Sequence, residues 1–364
     1  DVVTVDERLP GFPGMEVARQ DLVRVQGRLP GTGRGPDLLL LGHSDVVPPT
    51  GAAAFDPTRQ GGLLIGRGAS DMKAGLAAMC VAAAAVAAAG VRLRGDLVVA
   101  PVSAEEDGGA GTHALLRHAP ALQLAPGSAA IIPEPTDGRI VTANAGSLTF
   151  RITIAGRGAH GALRWLGANP LDGLPVLLDA LRDLEAQRCR NPDPLIAGWP
   201  IPYPISVGTI HGGQWASTVP SAVELTGRFG VRLGEPLVEA RAAFERAVAA
   251  AAAGHPWLAE HPPRVDWWGA AFESVVVPAD SPVIGALAAG GASRQPAAVP
   301  YGSDQRLLVG LAGVPAVLFG PGRPEDAHTD GESVRWSQVV ACAEAIALAA
   351  GHFCGIDAVD NPAG

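Results

Sequence analysis

Residues 96–106 read DLVVAPVSAEE, an unbroken apolar run that ends in two adjacent glutamates. A run without polar alternation is the pattern of a strand buried on both faces, which belongs to a largely parallel sheet covered by helices. Two neighbouring carboxylates at the end of such a strand repel each other and lose hydration unless cations hold them. This stretch therefore points to an open α/β sheet with its chemistry at the strand ends.

The pattern repeats to either side. Residues 37–41 (DLLLL) lead into Gly42 and His43, residues 129–132 (AAII) into Glu134, and residues 315–319 (PAVLF) into a Gly/Pro loop at 320–330. Residues 71–89 are helical in composition, with Gly90 at the expected stop, and a final helix is expected over 337–351. From residue 144 the character changes. Residues 147–154 (SLTFRITI) alternate like a half-exposed antiparallel strand. A helix over 170–188, strands at 205–210 and 222–227, and an alanine-rich helix over 238–253 follow. That order suits a small α+β, ferredoxin-like sandwich inserted into the first domain. The expected division is a catalytic domain at 1–143 and 267–364 around an insert at 144–266. There are no internal repeats.

Composition agrees with a folded chain: 48% of the 364 residues are hydrophobic and 17% charged. The net charge of −9 argues against nucleic acid or an anionic membrane as partner, since both reward a basic face. The longest apolar run, residues 76–91, is alanine-rich and shorter than the ~20 residues a bilayer needs, so it reads as a buried helix. Four cysteines without CxxC spacing, and no secretory pattern at the opening Asp1, make a reducing cytoplasm the expectation. Lys73 is the only lysine, and it lies beside a motif.

The candidate site residues are His43, Asp71, Glu106, Glu134 and His328 as metal ligands, with Asp45 and Glu105 beside them. His43 and Asp45 are two apart, so one can meet a metal while the other fixes its tautomer. Asp71 at a helix start suits either an N-cap or a carboxylate shared by two cations. Of Glu105 and Glu106, one can ligate while its neighbour stays free as a general base. Glu134 and His328 each fit a surface position when taken singly. Together, two histidines and three carboxylates give each of two metals three protein ligands, with one carboxylate bridging.

These motifs occur in a fixed order: GHSDVVP at 42–48, GRGASDMK at 66–73, SAEE at 103–106, PEPT at 133–136, GRGAH at 156–160, GSD at 302–304, and GPG at 320–322 followed by His328. In this the chain resembles the dizinc exopeptidase and deacylase family of acetylornithine deacetylase, succinyl-diaminopimelate desuccinylase, glutamate-releasing carboxypeptidase and the aminoacylases. The resemblance implies a zinc-exopeptidase-like mixed sheet with an inserted lid and dimerisation domain, and two zinc ions, for which cobalt or manganese could substitute. It implies that Asp71 bridges the ions, that His43 and Glu134 hold one, and that Glu106 and His328 hold the other. Asp45 would orient His43, Glu105 would be the general base, and the Asp71–Met72 peptide would be cis. Glutamate at 134 looks more like the carboxypeptidase and deacylase members than the aminopeptidases.

In the insert, His160 matches the histidine that reaches a dimer partner's active site and stabilises the oxyanion; on residue type alone it reads as a turn histidine. Family members often carry an asparagine where GGQWAS at 212–217 places Ser217. Arg228 is the candidate for gripping a substrate carboxylate, and Ser303 is a further candidate substrate contact. Trp165, Trp215, Trp267 and Trp268 suit an acyl pocket or ordinary packing. The implied activity is cleavage of the amide of an N-acyl amino acid or related small carboxylate-bearing substrate, by a homodimer joined through the insert. The alternatives are a dipeptidase or carboxypeptidase on the same metals, and a ligand-binding homologue that lost catalysis. The last predicts a missing base or bridging ligand, yet Glu105 and Asp71 are both present.

Overall fold

Strands form where the apolar runs fall. The computed structural model describes residues 2–4, 21–23, 25–49, 51–118 and 122–359. The chain first lays down β1 (Gly27–Leu29), β2 (Leu38–His43), α1 (Ala74–Ala88), β3 (Leu97–Val102), α2 (Ala110–His118), β4 (Ala129–Ile132) and β5 (Arg139–Asn144). A second group follows: β6 (Gly146–Ala155), α3 (Leu174–Arg188), β7 (Ile205–Gly212), β8 (Ala222–Val231), α4 (Leu237–Ala253) and β9 (Arg264–Phe272). A third group is β10 (Val275–Val276), α5 (Pro282–Ala289), β11 (Ser293–Val299), α6 (Gln305–Ala312), β12 (Ala316–Leu318) and α7 (Trp336–Cys354). Two units result. Unit 1 is Asp1–Ala143, Val275–Ala298 and Ser303–Gly364; unit 2 is Asn144–Ser274 and Val299–Gly302.

Unit 1 is built on a mixed eight-stranded sheet in the order β10-β5-β12-β4-β2-β3-β1, with β11 also pairing β5. Its centre, β12-β4-β2-β3, is parallel, and β1 and β5 join it antiparallel. Leu38, Leu40, Ile131 and Val317 share one core with Met79 and Val86 of α1, Leu287 of α5 and Ile346 of α7. The alternate residues Leu39, Leu41, Ala130 and Ile132 are equally buried, on the side covered by α2 and α6. Both faces are thus covered, which is why these strands read as continuous apolar runs. Two helical stretches, Ala69–Ala88 and Trp336–Cys354, are long and apolar enough to cross a bilayer by composition. Here α1 and α7 pack against each other and against the sheet.

The expected helix over 71–89 begins later than its composition suggests. Asp71 and Met72 have non-helical backbones joined by a cis peptide, and regular helix starts at Ala74. Its first turn lies directly on the end of β4: a Cβ on Gly75 would sit 1.9 Å from the Pro133 carbonyl oxygen. Only glycine fits there.

Unit 2 is a four-stranded antiparallel sheet in the order β7-β8-β6-β9. Alternate residues of β6, from Leu148 to Ile154, pack with Leu177 and Leu181 of α3 and with Phe244 and Val248 of α4. The sequence places the end of the insert at residue 266, but the chain returns to unit 1 only at Val275. The reason is β9: residues 264–272 (RVDWWGAAF) pair along β6 from Thr153 to Ser147 and complete the sheet. Trp267 consequently packs in the unit 2 core, 5.2 Å from Phe244, and Trp268 lies under the Arg151 guanidinium. Within unit 1, the strands on either side of the insertion are neighbours, and Val277 N–H donates to Thr142 O at 2.8 Å.

Candidate metal centre

Three parallel strands of unit 1 end at one edge. In the register of β2 and β3, His43 pairs with Val102, so His43 and the Glu105-Glu106 pair leave the sheet side by side. Ala104 turns the chain at that point with φ 58°. A left-handed alanine costs about 1–3 kcal/mol and persists only where its surroundings hold it. Here its carbonyl accepts the N–H groups of Gly109 and Ala110 at the start of α2. Glu134 follows β4, and His328, also left-handed at φ 60°, lies in the loop after β12.

Asp71 stands between the two histidines. Its Oδ1 lies 3.1 Å from His43 Nε2 and its Oδ2 lies 3.3 Å from His328 Nε2. Glu134 Oε1 is 3.7 Å from His43 Nε2 on one side, and Glu106 Oε2 is 3.1 Å from His328 Nε2 on the other. His43, Asp71 and Glu106, and likewise His43, Glu105 and Glu134, each offer three ligand atoms within 4.8 Å of one another. The halves differ in access: the His43 side chain is 1% exposed, that of His328 53%.

The electrostatics reflect crowded carboxylates. Burial raises Glu105 well above the usual range, and the charges of Asp304, Glu134 and Glu106 add to it against the opposing effect of His43. Glu134 is raised to about 7 by burial and by the charges of Asp71 and Glu106. Burial opposes protonation of His43, yet the Glu134 charge and hydrogen bonds to Asp71 and Glu134 raise it well above its ordinary value. His328 is raised to about 10, mainly by its hydrogen bonds to Asp71 and Glu106. Burial would raise Asp71, but its hydrogen bonds to the two histidines hold it below the usual carboxylate range. Such a cluster gathers positive charge, and metal cations supply it without protons. The donor set fits: imidazole nitrogens and carboxylate oxygens suit zinc. Glu106 Oε1, buried and without a hydrogen-bond partner among the described residues, is an oxygen a cation would satisfy.

Asp45 acts differently from the expectation. His43 Nδ1 lies 3.0 Å from the Asp45 backbone carbonyl and 3.6 Å from its carboxylate. The carboxylate accepts instead from the backbone N–H groups of Glu105 at 3.2 Å and Glu106 at 3.3 Å. One residue thus orients the histidine and anchors the glutamate pair. Lys73 ties the same region together, its Nζ donating to Ser44 O at 2.7 Å.

The remaining candidates separate. His160, Ser217 and Arg228 belong to unit 2, whereas the histidine–carboxylate cluster is made of unit 1 residues alone. His160 is exposed and pairs with Thr218; its Nδ1 accepts the Ala162 N–H at 3.0 Å, which leaves the proton on Nε2. Ser217 is exposed and its carbonyl accepts the Gly161 N–H. Arg228 donates to Pro300 O at 2.8 Å and makes no ion pair among the described residues; burial lowers its guanidinium to about 10. Ser303 is buried, its hydroxyl accepting the Gln305 N–H at the start of α6. Trp165 and Trp215 are 70% and 74% exposed on unit 2.

Two buried carboxylates escaped the sequence reading. Asp304 accepts a 2.5 Å hydrogen bond from Thr112, and its charge acts on Glu105. Glu332 accepts from the loop that carries Asp71. Asp304 adjoins the singled-out Ser303, but Glu332 lies in an unremarkable DGES segment with no local signal.

Residues 39–352 match the model for peptidase family M20/M25/M40. Acetylornithine deacetylase of Myxococcus xanthus is 30% identical over 356 residues, spanning 93% of this chain and 85% of that protein. Among solved structures, the di-peptidase Dug1p of Saccharomyces cerevisiae superposes with a TM-score of 0.76 at 14% identity, over 97% of this chain and 87% of that one. The YXEP protein of Bacillus subtilis, described as a dinuclear metal-binding peptidase, gives 0.60 at 17% identity, over 90% and 84%. At these identities the two structures speak to the fold.

Proposed function

The chain belongs to peptidase family M20/M25/M40, whose members hydrolyse amide bonds, and on that premise we propose that it is a two-zinc deacylase of N-acyl amino acids. The observation that carries the reading is Asp71, whose two oxygens are divided between His43 and His328. His43 and Glu134 would hold one ion, Glu106 and His328 the other, with Asp71 common to both. Bound zinc would polarise the scissile carbonyl and make water nucleophilic at neutral pH.

The protein's own groups carry the rest. Glu105, buried beside the ligands, takes the proton of the attacking water on its carboxylate and returns it to the leaving nitrogen. Asp45 holds Glu105 by its backbone N–H while fixing His43. His160, with its proton on Nε2, donates to the developing oxyanion from the partner subunit of a homodimer joined through unit 2. The half-buried Arg228 guanidinium, lacking an ion pair among the described residues, is complementary to a substrate carboxylate. Four free thiols suit a reducing cytoplasm.

The choice of an acyl amino acid over a dipeptide rests on the deacetylase relative, which aligns along nearly the whole chain. The test is release of primary amine by the zinc-loaded protein from N-acetyl, N-formyl, N-succinyl and long-chain N-acyl amino acids, beside dipeptides. Turnover concentrated on acyl amino acids is expected. Turnover of dipeptides alone would move the assignment to a peptidase, and silence across the panel would overturn it.

A further inference from the structure

Asp71 lies in a turn whose neighbours Ala69, Ser70 and Met72 are buried and whose Lys73 N–H donates to Gly68 O at 2.9 Å. Its neighbours at 66–69 border an apolar cavity of about 330 Å³ lined by Phe55, Leu64 and Trp336. The backbone leaves helical geometry at Asp71 and Met72, so the regular α-helical ladder begins only after it.

One carboxylate gathers the N–H groups of this turn. Glu332 is 1% exposed and accepts hydrogen bonds along the length of the turn. Its Oε2 takes the Gly68 N–H at 2.9 Å and Arg67 Nη1 at 2.6 Å; its Oε1 takes the N–H groups of Ser70 and Asp71, both at 2.9 Å. Its own carbonyl accepts the Gly66 N–H at 2.9 Å. Consecutive N–H groups converging on one anion form a rigid nest, and charge-assisted bonds of this kind are stronger than neutral ones.

The position of Glu332 in the chain gives this contact a second meaning. It lies four residues after His328, at the head of the short strand Ser333–Arg335 that pairs with Leu63–Ile65 in the register Ser333 to Ile65. The same loop presses on the turn from another side: a Cβ on Gly322 would sit 2.2 Å from Ser70 Oγ. The segment that delivers His328 therefore also grips the backbone of Asp71.

We propose that Glu332 is a positioning residue for the metal centre: it sets the two oxygens of Asp71 between His43 and His328 and so controls how tightly the centre holds its ions. This rests on the reading of the cluster as a two-metal site. A neutral amide at 332 could not accept at both oxygens, since its NH₂ would face N–H donors. Asp71 would then lose its backbone anchor while all five ligand side chains remain. Residues that orient a metal ligand in this way typically cost about 10–100-fold in metal affinity when replaced.

The test is zinc affinity, by competition with a chromogenic chelator, and the visible spectrum of the cobalt-substituted protein. Both are read beside thermal stability in the full chain. Glu332→Gln is expected to bind zinc about 10–100-fold more weakly with an altered cobalt spectrum. Glu332→Asp keeps the charge and is expected to fall between it and the wild type; it decides the matter if the glutamine variant does not fold. Arg67→Met removes the guanidinium but leaves the three N–H donors. It is expected to melt lower while binding zinc within about two-fold of wild type, because the contact to Asp71 survives. Wild-type affinity and spectrum in both Glu332 variants would overturn the proposal. So would an equal loss in Arg67→Met, which would reduce Glu332 to half of a buried ion pair. Failure of the wild type itself to bind zinc would instead sink the two-metal reading.

Discussion

His328 Nε2 meets Glu106 Oε2 at 3.1 Å across 222 positions of sequence. Neither residue has a local reason to be where it is: one lies in a Gly/Pro loop, the other just past a strand. Their meeting completes the more open half of the centre, while His43 and Glu134 form the buried half.

That asymmetry predicts stepwise metal loss. Dialysis against a chelator is expected to remove the ion on the His328 side first, leaving about one equivalent that departs more slowly. His328→Ala is expected to retain about one ion per chain. Elemental analysis of timed samples checks both; simultaneous loss of two equivalents would contradict the division.

Replacing Glu105 with glutamine is expected to lower kcat by about 10²–10⁴-fold with metal content unchanged, since a general base contributes on that scale. Burial and the charges of Asp304, Glu134 and Glu106 raise its pKa, and the base must be ionised. Activity should therefore fall as pH drops through the pKa of this carboxyl. That acid limb should vanish from the residual rate of the variant. A pH–rate profile of both proteins decides it.

Gly75→Ala is expected to destabilise the fold by about 1–3 kcal/mol, because the added methyl meets the backbone of Pro133 and no rotamer can relieve it. The same contact sits one residue before Glu134, so metal affinity should drop as well. Gly198→Ala, where a Cβ meets nothing within 4 Å, should change stability by less than about 0.5 kcal/mol. Urea titrations of the pair provide the comparison.

Three of the four thiols should fall into two classes, with Cys189, half-buried, between them. Cys342 and Cys354 are buried, and burial is the main reason both are raised to about 12. At pH 8 their thiolate fraction is on the order of 10⁻⁴, and access is blocked as well. Cys80 is exposed on α1. Under native conditions a disulfide reagent should label Cys80, with Cys342 and Cys354 appearing only on unfolding. Labelling of either buried cysteine at the Cys80 rate would contradict this packing.

The strand ends were legible because chemistry and burial share one signal there. An apolar run such as residues 37–41 must be covered on both faces, so whatever polar residue follows it emerges at the edge of the sheet. From composition alone the irregular helix start at 69–73 was not legible; the resemblance supplied its cis Asp71–Met72 peptide, while the Glu332 carboxylate that accepts its N–H groups lies more than 250 positions away. The end of the insert was misjudged for a similar reason. Residues 264–272 alternate weakly, and only pairing with β6 makes them a strand. Asp45 lies beside His43, but nothing in the triplet told its carboxylate from its carbonyl.

Thr142 and Val277, joined by a backbone hydrogen bond, stand at the two lips of the large insertion. From the standpoint of the metal-bearing sheet, the chain leaves and returns at almost one point. A loop closed by neighbouring strands pays little more entropy as it lengthens, since each doubling adds only about 0.6 kcal/mol. The insert is therefore topologically exchangeable: another module could be grafted at this seam without re-laying a strand beneath the histidines and carboxylates. Changes of length within the insert would then leave the strands beneath the five candidate ligands where they are, with the seam as their boundary.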